Sequence, residues 1–350
     1  MEIHSRLPSF LIIASSSLLS ISRIHAADGT WLGNDGNWNA TGTWSGGTIA
    51  DGIGFTANFT GVDIAANRTI TLAADRTIGN ISFTDLTTAS NNVAIIGANT
   101  LTLDVSTGVP LITVGNQTLT INSVIAGNEG LQKNGVGTLT LSNTANTYTG
   151  ATNVTGGVLA VNGSLANTTT TVGTGATLQG SGGIGGSVTV EGGGTLAAGN
   201  SIESITTGAL SLQAFSTFAY EINKDAAASV AGDLTAVTGN LTFDLTNAAI
   251  LTLGELGSGS WTVGEKLTLI SYSGAWNGGL FNYGGTLADD STINFSGMQW
   301  MFNYNDGAAG TNYTGDLTGS SFVTMTAVPE PNAAALLGGL GTILLLLRRR

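Results

Sequence analysis

The chain has no cysteine, only 4 prolines in 350 residues, and charge on only 9% of its positions. The missing cysteines exclude a disulfide framework and the thiolate sites that hold structural zinc or iron–sulfur clusters. Histidine is nearly as scarce. His4 and His25 both lie near the start, so the stretch from Asp28 to Val328 contains none, and a Ser-His-Asp or Cys-His nucleophile cannot be assembled there. The same stretch carries five basic residues (Arg68, Arg76, Lys133, Lys224 and Lys266) against twenty Asp and Glu. That balance repels a phosphate backbone and excludes nucleic acid as a partner.

What is abundant is 52 Gly, 51 Thr, 29 Ser and 29 Asn, close to half the chain. This is the composition of a turn-rich β protein, because Thr suits a pleated strand while Gly, Asn and Ser suit corners. Short alternating runs recur, among them Thr69-Ile-Thr-Leu, Thr100-Leu-Thr-Leu, Thr118-Leu-Thr-Ile and Thr138-Leu-Thr-Leu. Val154, Val172 and Val190 keep one spacing, and Gly157, Gly175 and Gly193 repeat it. A period near 20 residues is about one coil of a β-solenoid, in which each coil buries a small inward row and depends on its neighbours to complete the hydrogen bonding. The fold expected is therefore all-β, a parallel β-helix. Three hexapeptide faces of a left-handed solenoid would fit a similar period, although no hexapeptide cadence is visible.

Gly130-Leu-Gln-Lys-Asn-Gly-Val-Gly-Thr-Leu-Thr-Leu-Ser, Asn146-Thr-Tyr-Thr-Gly-Ala-Thr-Asn-Val and Gly156-Gly-Val-Leu-Ala-Val together resemble one autotransporter-associated β-strand repeat, spanning 130–161. Trp31, Trp38 and Trp44, followed by Asn67-Arg-Thr-Ile-Thr-Leu, resemble the opening segment usual in that family, and Gly194-Thr-Leu-Ala-Ala-Gly-Asn-Ser-Ile the region after the repeat. The resemblance implies a right-handed parallel β-helix in a surface or passenger protein. It departs from the family after the solenoid, where a membrane barrel of long amphipathic strands would be expected and a different tail is found.

Both ends read as addresses. Residues 1–27 have the form of a secretory signal, with Arg6 in the n-region, an apolar stretch from Phe10, and small residues for cleavage after Ala26 or Ala27. At the other end, Val328-Pro-Glu-Pro-Asn precedes an uncharged apolar segment, 333–347, and then Arg348-Arg349-Arg350. At about 1.5 Å per residue this segment is a short transmembrane helix, extended by arginine snorkelling and oriented with the arginines in the cytoplasm. The tail, 328–350, resembles the PEP-CTERM sorting signal at Pro329, Glu330, Pro331 and the three terminal arginines. That resemblance implies transient anchoring in the inner membrane, processing by an exosortase-type protease, and delivery to the surface or extracellular matrix of a Gram-negative bacterium.

Residues 28–66 read as a Trp/Gly-rich N-terminal segment with the first coils, 67–230 as the β-helix, and 231–327 as an aromatic-rich β cap. Within the cap, Met298, Trp300, Phe302 and Tyr304 alternate with Gln299, Met301 and Asn303, the pattern of a strand with one packed face. Trp261 and Trp276, flanked by Gly and Ser, are the aromatics best placed for exposure and for stacking on sugar rings. Asp289-Asp290, the adjacent carboxylate pair, follows Gly284-Gly-Thr-Leu-Ala and reads as a turn rather than as facing acids. Acidic residues would admit calcium, but no loop spells out its ligand spacing, so no cofactor is expected. The function expected is structural or adhesive, without enzymatic activity. A carbohydrate-binding protein of the exopolysaccharide matrix is the alternative, and a polysaccharide-active enzyme on a β-helix the remaining one.

Overall fold

The computed structural model describes residues 26–86, 91–165, 168–199, 201–225, 232–310 and 317–329. Its strands stack in parallel into three faces. Face 1 runs from Gly29–Thr30 through Leu131–Asn134 and Thr152–Val154 to Leu241–Phe243; face 2 runs beside it from Gly36–Asn37 through Thr138–Leu141 and Gly157–Val161 to Ala249–Leu256. Face 3 is built in two pieces. Thr100–Leu103 pairs on the first part of Arg76–Asp85 and Val124–Ala126 pairs on Thr100–Leu103, and a second series runs from Ser164–Leu165 to Lys266–Tyr272.

Alternation within each short strand sends every second side chain inward, and the parallel register places like residues over one another. On face 2, Val93, Leu119, Leu139, Leu159, Leu178, Leu196, Phe218 and Leu251 form one continuous column. All eight are buried. At roughly 1.5–3 kcal/mol for each fully buried side chain, such columns are the main stabilisation of the solenoid. The repeated Thr-Leu-Thr runs are not all one element, however. Thr118–Ile121 and Thr138–Leu141 stack residue for residue on face 2, whereas Thr100–Leu103 belongs to face 3, so the spacing from Thr100 to Thr118 spans two corners and the face 1 strand Leu111–Val114 within one coil.

Asp and Asn side chains extend the ladder at strand starts. Asp35 accepts the Thr69 amide at 2.6 Å, Asn67 the Asn92 amide at 2.9 Å, Asn92 the Thr118 amide at 2.9 Å, and Asp75 the Thr100 amide at 2.8 Å. Each bond satisfies a backbone donor that the corner would otherwise leave open. This is one use of acidic residues in a chain with so few cations.

Both ends of the core are closed by aromatic rings. Trp31, Trp38 and Trp44 surround Phe59 with ring centroids 5.6, 5.7 and 5.7 Å from it. Their indole N–H groups donate to the backbone oxygens of Asn34, Ala50 and Trp38 respectively. Arg76 locks this lid onto the coil below through a 2.8 Å ion pair with Asp51. Ala27 exchanges backbone hydrogen bonds with Asp51; residues 1–25 of the expected signal segment lie outside the described residues. At the far end the pairing turns antiparallel, with Ser321–Val328 inserted between Lys266–Tyr272 and Met298–Asp306. Parallel stacking runs past residue 230, to Lys266–Tyr272 on face 3 and to Phe281–Asn282 on face 2. The sequence cadence loosens earlier because the connections lengthen between Asn223 and Leu234 and between Leu256 and Lys266.

Replacing inward Leu178 by Ala is expected to lower the stability read from urea unfolding by about 2–5 kcal/mol. Replacing its outward neighbour Thr177 by Ala should change it by less than about 0.5 kcal/mol.

Candidate functional site

The repeat coil is where sequence and structure carry the most shared detail, and its distinctive side chains turn inward. Lys133 stands in the inward column of face 1 between Ile112 and Val154 and is fully buried, at 0% exposure. Its ammonium donates to the carbonyl oxygens of Asn134 and Gly135, both at 2.9 Å, and to that of Gly156 in the next coil at 3.0 Å. Three acceptors match the three N–H groups of a charged lysine. Burial pushes its pKa down to about 8, and the three carbonyls keep it protonated at neutral pH.

Asn146 and Tyr148 fill the gap between the two pieces of face 3. The Asn146 side-chain oxygen accepts the Ile125 amide at 2.9 Å, and its nitrogen donates to Asn143 and Ser164 carbonyls at 2.9 and 3.0 Å. One carboxamide thus joins Val124–Ala126 below to Ser164–Leu165 above. Tyr148 is buried, shares a 2.7 Å hydrogen bond with Thr152, and has its pKa pushed up to about 12 by burial. Gly130 and Gly150 cross so closely that a Cβ on Gly150 would lie 2.2 Å from the Gly130 nitrogen. The sequence marked this segment as a repeat and gave Lys133, Asn146 and Tyr148 no role. The signal available was a lone lysine in the alternating run Leu131-Gln-Lys, at the parity of an inward position.

The outer surfaces of the same coils are ordered and uncharged. Leu111, Gln132, Asn153, Thr171, Thr189, Ser211 and Thr242 lie in register along the outside of face 1. Thr118, Thr138, Val158, Thr177, Thr195 and Thr217 do so on face 2. Rungs repeat at about 4.8 Å, so these rows present hydroxyl and amide groups at fixed intervals. They offer hydrogen bonds and contact area but no acid, base or nucleophile.

In the cap, Trp300, Phe302 and Tyr304 are buried and pack as their alternation implied. Trp261 and Trp276 are half-buried. Trp261 meets Trp300 edge-on at 5.3 Å, and Trp276 lies parallel to Tyr304 at 5.2 Å, so each presents a flat ring backed by another. Asp289 and Asp290 form an exposed turn, accepting from the Tyr304 amide at 2.9 Å and the Asn303 side chain at 3.1 Å. Pro329 is exposed just beyond Ser321–Val328. Glu330, Pro331, the expected helix 333–347 and Arg348, Arg349 and Arg350 lie outside the described residues, among which no helix is long and apolar enough to cross a membrane.

A buried carboxylate joins faces 2 and 3. Asp233, 1% exposed, accepts the Glu203 amide at 3.0 Å and the Glu221 amide at 2.9 Å. Burial pushes its pKa up to about 7, assisted by the charges of Glu221 and Glu203 and opposed by the two amide bonds.

Residues 131–161 match the Passenger-associated-transport-repeat family, the segment built around Lys133, Asn146 and Tyr148. Over 166 residues, 45% of the chain, the sequence is 37% identical to the adhesin BmaC autotransporter of Brucella suis biovar 1 (strain 1330). The match spans 4% of that relative's length.

Two measurements test the buried charges. Lys133→Met leaves three carbonyls without their donor and is expected to cost about 1–3 kcal/mol in urea unfolding. Asp233 has an ordinary pKa of 3.8 once unfolded, so between that value and about 7 the folded state binds the extra proton and stability falls as pH rises. The thermal midpoint should be lower at pH 8 than at pH 5, and Asp233→Asn should flatten that difference.

Proposed function

We propose that this chain is an exported, non-enzymatic β-helical protein of the cell surface or extracellular matrix, with an adhesive or scaffolding role. The observation that carries the reading is the pair of long, uncharged, in-register outer rows on faces 1 and 2. A periodic surface of hydroxyls and amides makes many weak contacts with an extended partner, and such contacts add through multivalency. The passenger-type repeat and the similarity to part of an autotransporter adhesin support the same role. Export proceeds through the N-terminal signal. The tail with Pro329, Glu330, Pro331 and Arg348 to Arg350 serves as a sorting device, anchored in the inner membrane until an exosortase-type protease releases it.

The partner in this reading is exopolysaccharide, held by the repetitive faces. A second reading places carbohydrate on the half-buried rings of Trp261 and Trp276, each stacked or edge-packed on a cap aromatic. Co-sedimentation with the host's own polysaccharide separates the two. Binding that survives Trp261→Ala and Trp276→Ala but weakens when Gln132, Asn153 and Thr171 are changed to Glu belongs to face 1; the reverse pattern belongs to the cap.

Intact mass and fractionation of the native protein test the sorting role. A chain ending near Pro329 and recovered from matrix or medium is the expected result, whereas a chain retaining Arg350 in the inner membrane overturns it. Because Ser321–Val328 sits inside the antiparallel cap, a chain ending at Val328 should keep the full-length thermal midpoint. One ending at Ser320 should lose several degrees.

A further inference from the structure

Asn134 and Gly135 stand at the corner where face 1 turns toward face 2, immediately beside the buried ammonium of Lys133. In an Asn-Gly pair the glycine nitrogen, unshielded by a Cβ, can attack the preceding carboxamide. Three such pairs fall within the described residues: Asn134-Gly135, Asn162-Gly163 and Asn277-Gly278. Their surroundings differ. The Gly163 amide is committed to the Leu141 carbonyl at 3.0 Å. The Asn277 carboxamide is held at both atoms, accepting from Phe243 and Gly279 amides at 3.1 Å each and donating to the Phe243 carbonyl at 2.8 Å.

At Asn134 the contacts converge on the reacting atoms instead. Its side-chain oxygen receives the Gln132 side-chain amide at 3.1 Å and the Thr155 hydroxyl, which it shares with the Lys133 carbonyl oxygen at 3.1 Å. Its backbone oxygen receives the Lys133 ammonium at 2.9 Å. Gly135 has φ +79°, in the left-handed region, and Asn134 is half-exposed, so water reaches it.

We propose that Asn134-Gly135 is a self-modifying site that converts, in the folded protein, to aspartate and isoaspartate. Solvent hydroxide removes the Gly135 N–H proton, a loss made easier by the ammonium on the carbonyl of the same peptide group. The nitrogen forms a bond to the Asn134 Cγ. Negative charge develops on the side-chain oxygen, where the Thr155 hydroxyl and Gln132 amide act as oxyanion donors. The bond from Cγ to the side-chain nitrogen then breaks, and ammonia leaves with a proton taken from water. Water adds to either carbonyl of the resulting succinimide and opens it, so the net change is one water consumed and one ammonia released, with no oxidation or reduction. Either product carries a new carboxylate at the outer side of face 1, and the isoaspartate also has a backbone lengthened by one carbon at the corner that Lys133 ties. Either change alters the adhesive face as the protein ages outside the cell.

The full-length protein is held at mildly alkaline pH, and all three Asn-Gly peptides are followed by mass spectrometry with isoaspartate-resolving chromatography. Conversion at Asn134 is expected to run several-fold faster than at Asn162, at Asn277, or in a free peptide spanning 131–138. Thr155→Val, a change at an exposed position, should slow it several-fold with the unfolding midpoint unchanged. Should that variant lose stability, Gln132→Met removes the other oxyanion donor and carries the same expectation. Conversion no faster than at the other two pairs, slower than in the free peptide, or unaffected by loss of an oxyanion donor in a stable variant overturns the proposal.

Discussion

The inter-coil hydrogen-bond ladder is the constraint on which the rest of this structure depends. A single coil of three short strands leaves one edge open above and one below, and its inward residues are too few to form a core. Stacking in parallel register removes both problems together, because the same 4.8 Å step, roughly, that closes the hydrogen bonds brings Leu139 over Leu119 and Leu159 over Leu139. Side-chain acceptors such as Asn92 and Asp75 carry that ladder around the corners.

From this constraint follow the two caps. A stack that can always accept another coil must be ended by something that cannot, and here the ends are rings. Trp31, Trp38 and Trp44 close over Phe59 at one end. At the other, antiparallel strands carry Phe281, Phe302 and Tyr304 across the last coils. The buried ammonium of Lys133 and carboxamide of Asn146 serve the same ladder where a coil changes course, each satisfying backbone groups of two neighbouring coils. A cation inside an aliphatic column is tolerated because carbonyls occupy all of its donors.

The same geometry leaves the outside of faces 1 and 2 free. Since the ladder and the inward columns hold the fold, outward positions need only suit a strand, and Thr, Asn and Ser satisfy that with no charge. An extended, regular, chemically mild surface is what a structural or adhesive role requires.

The sequence by itself determined the parallel stacking, the inward columns and the repeat at 130–161, because a side-chain period of two and a coil period near 20 are written directly in positions such as Leu159, Leu178 and Leu196. It also showed that no histidine or cysteine lies between Asp28 and Val328. It did not reveal that Thr100–Leu103 and Thr118–Ile121 occupy different faces, since two corners with the strand Leu111–Val114 between them and a full coil can consume similar numbers of residues. Nor did it assign Lys133, Asn146 and Asp233 their places, because each acts on backbone groups brought near it by the coil above or below. Local pattern fixes which way a side chain points within its strand, but only the tertiary stack decides which carbonyl or amide waits there.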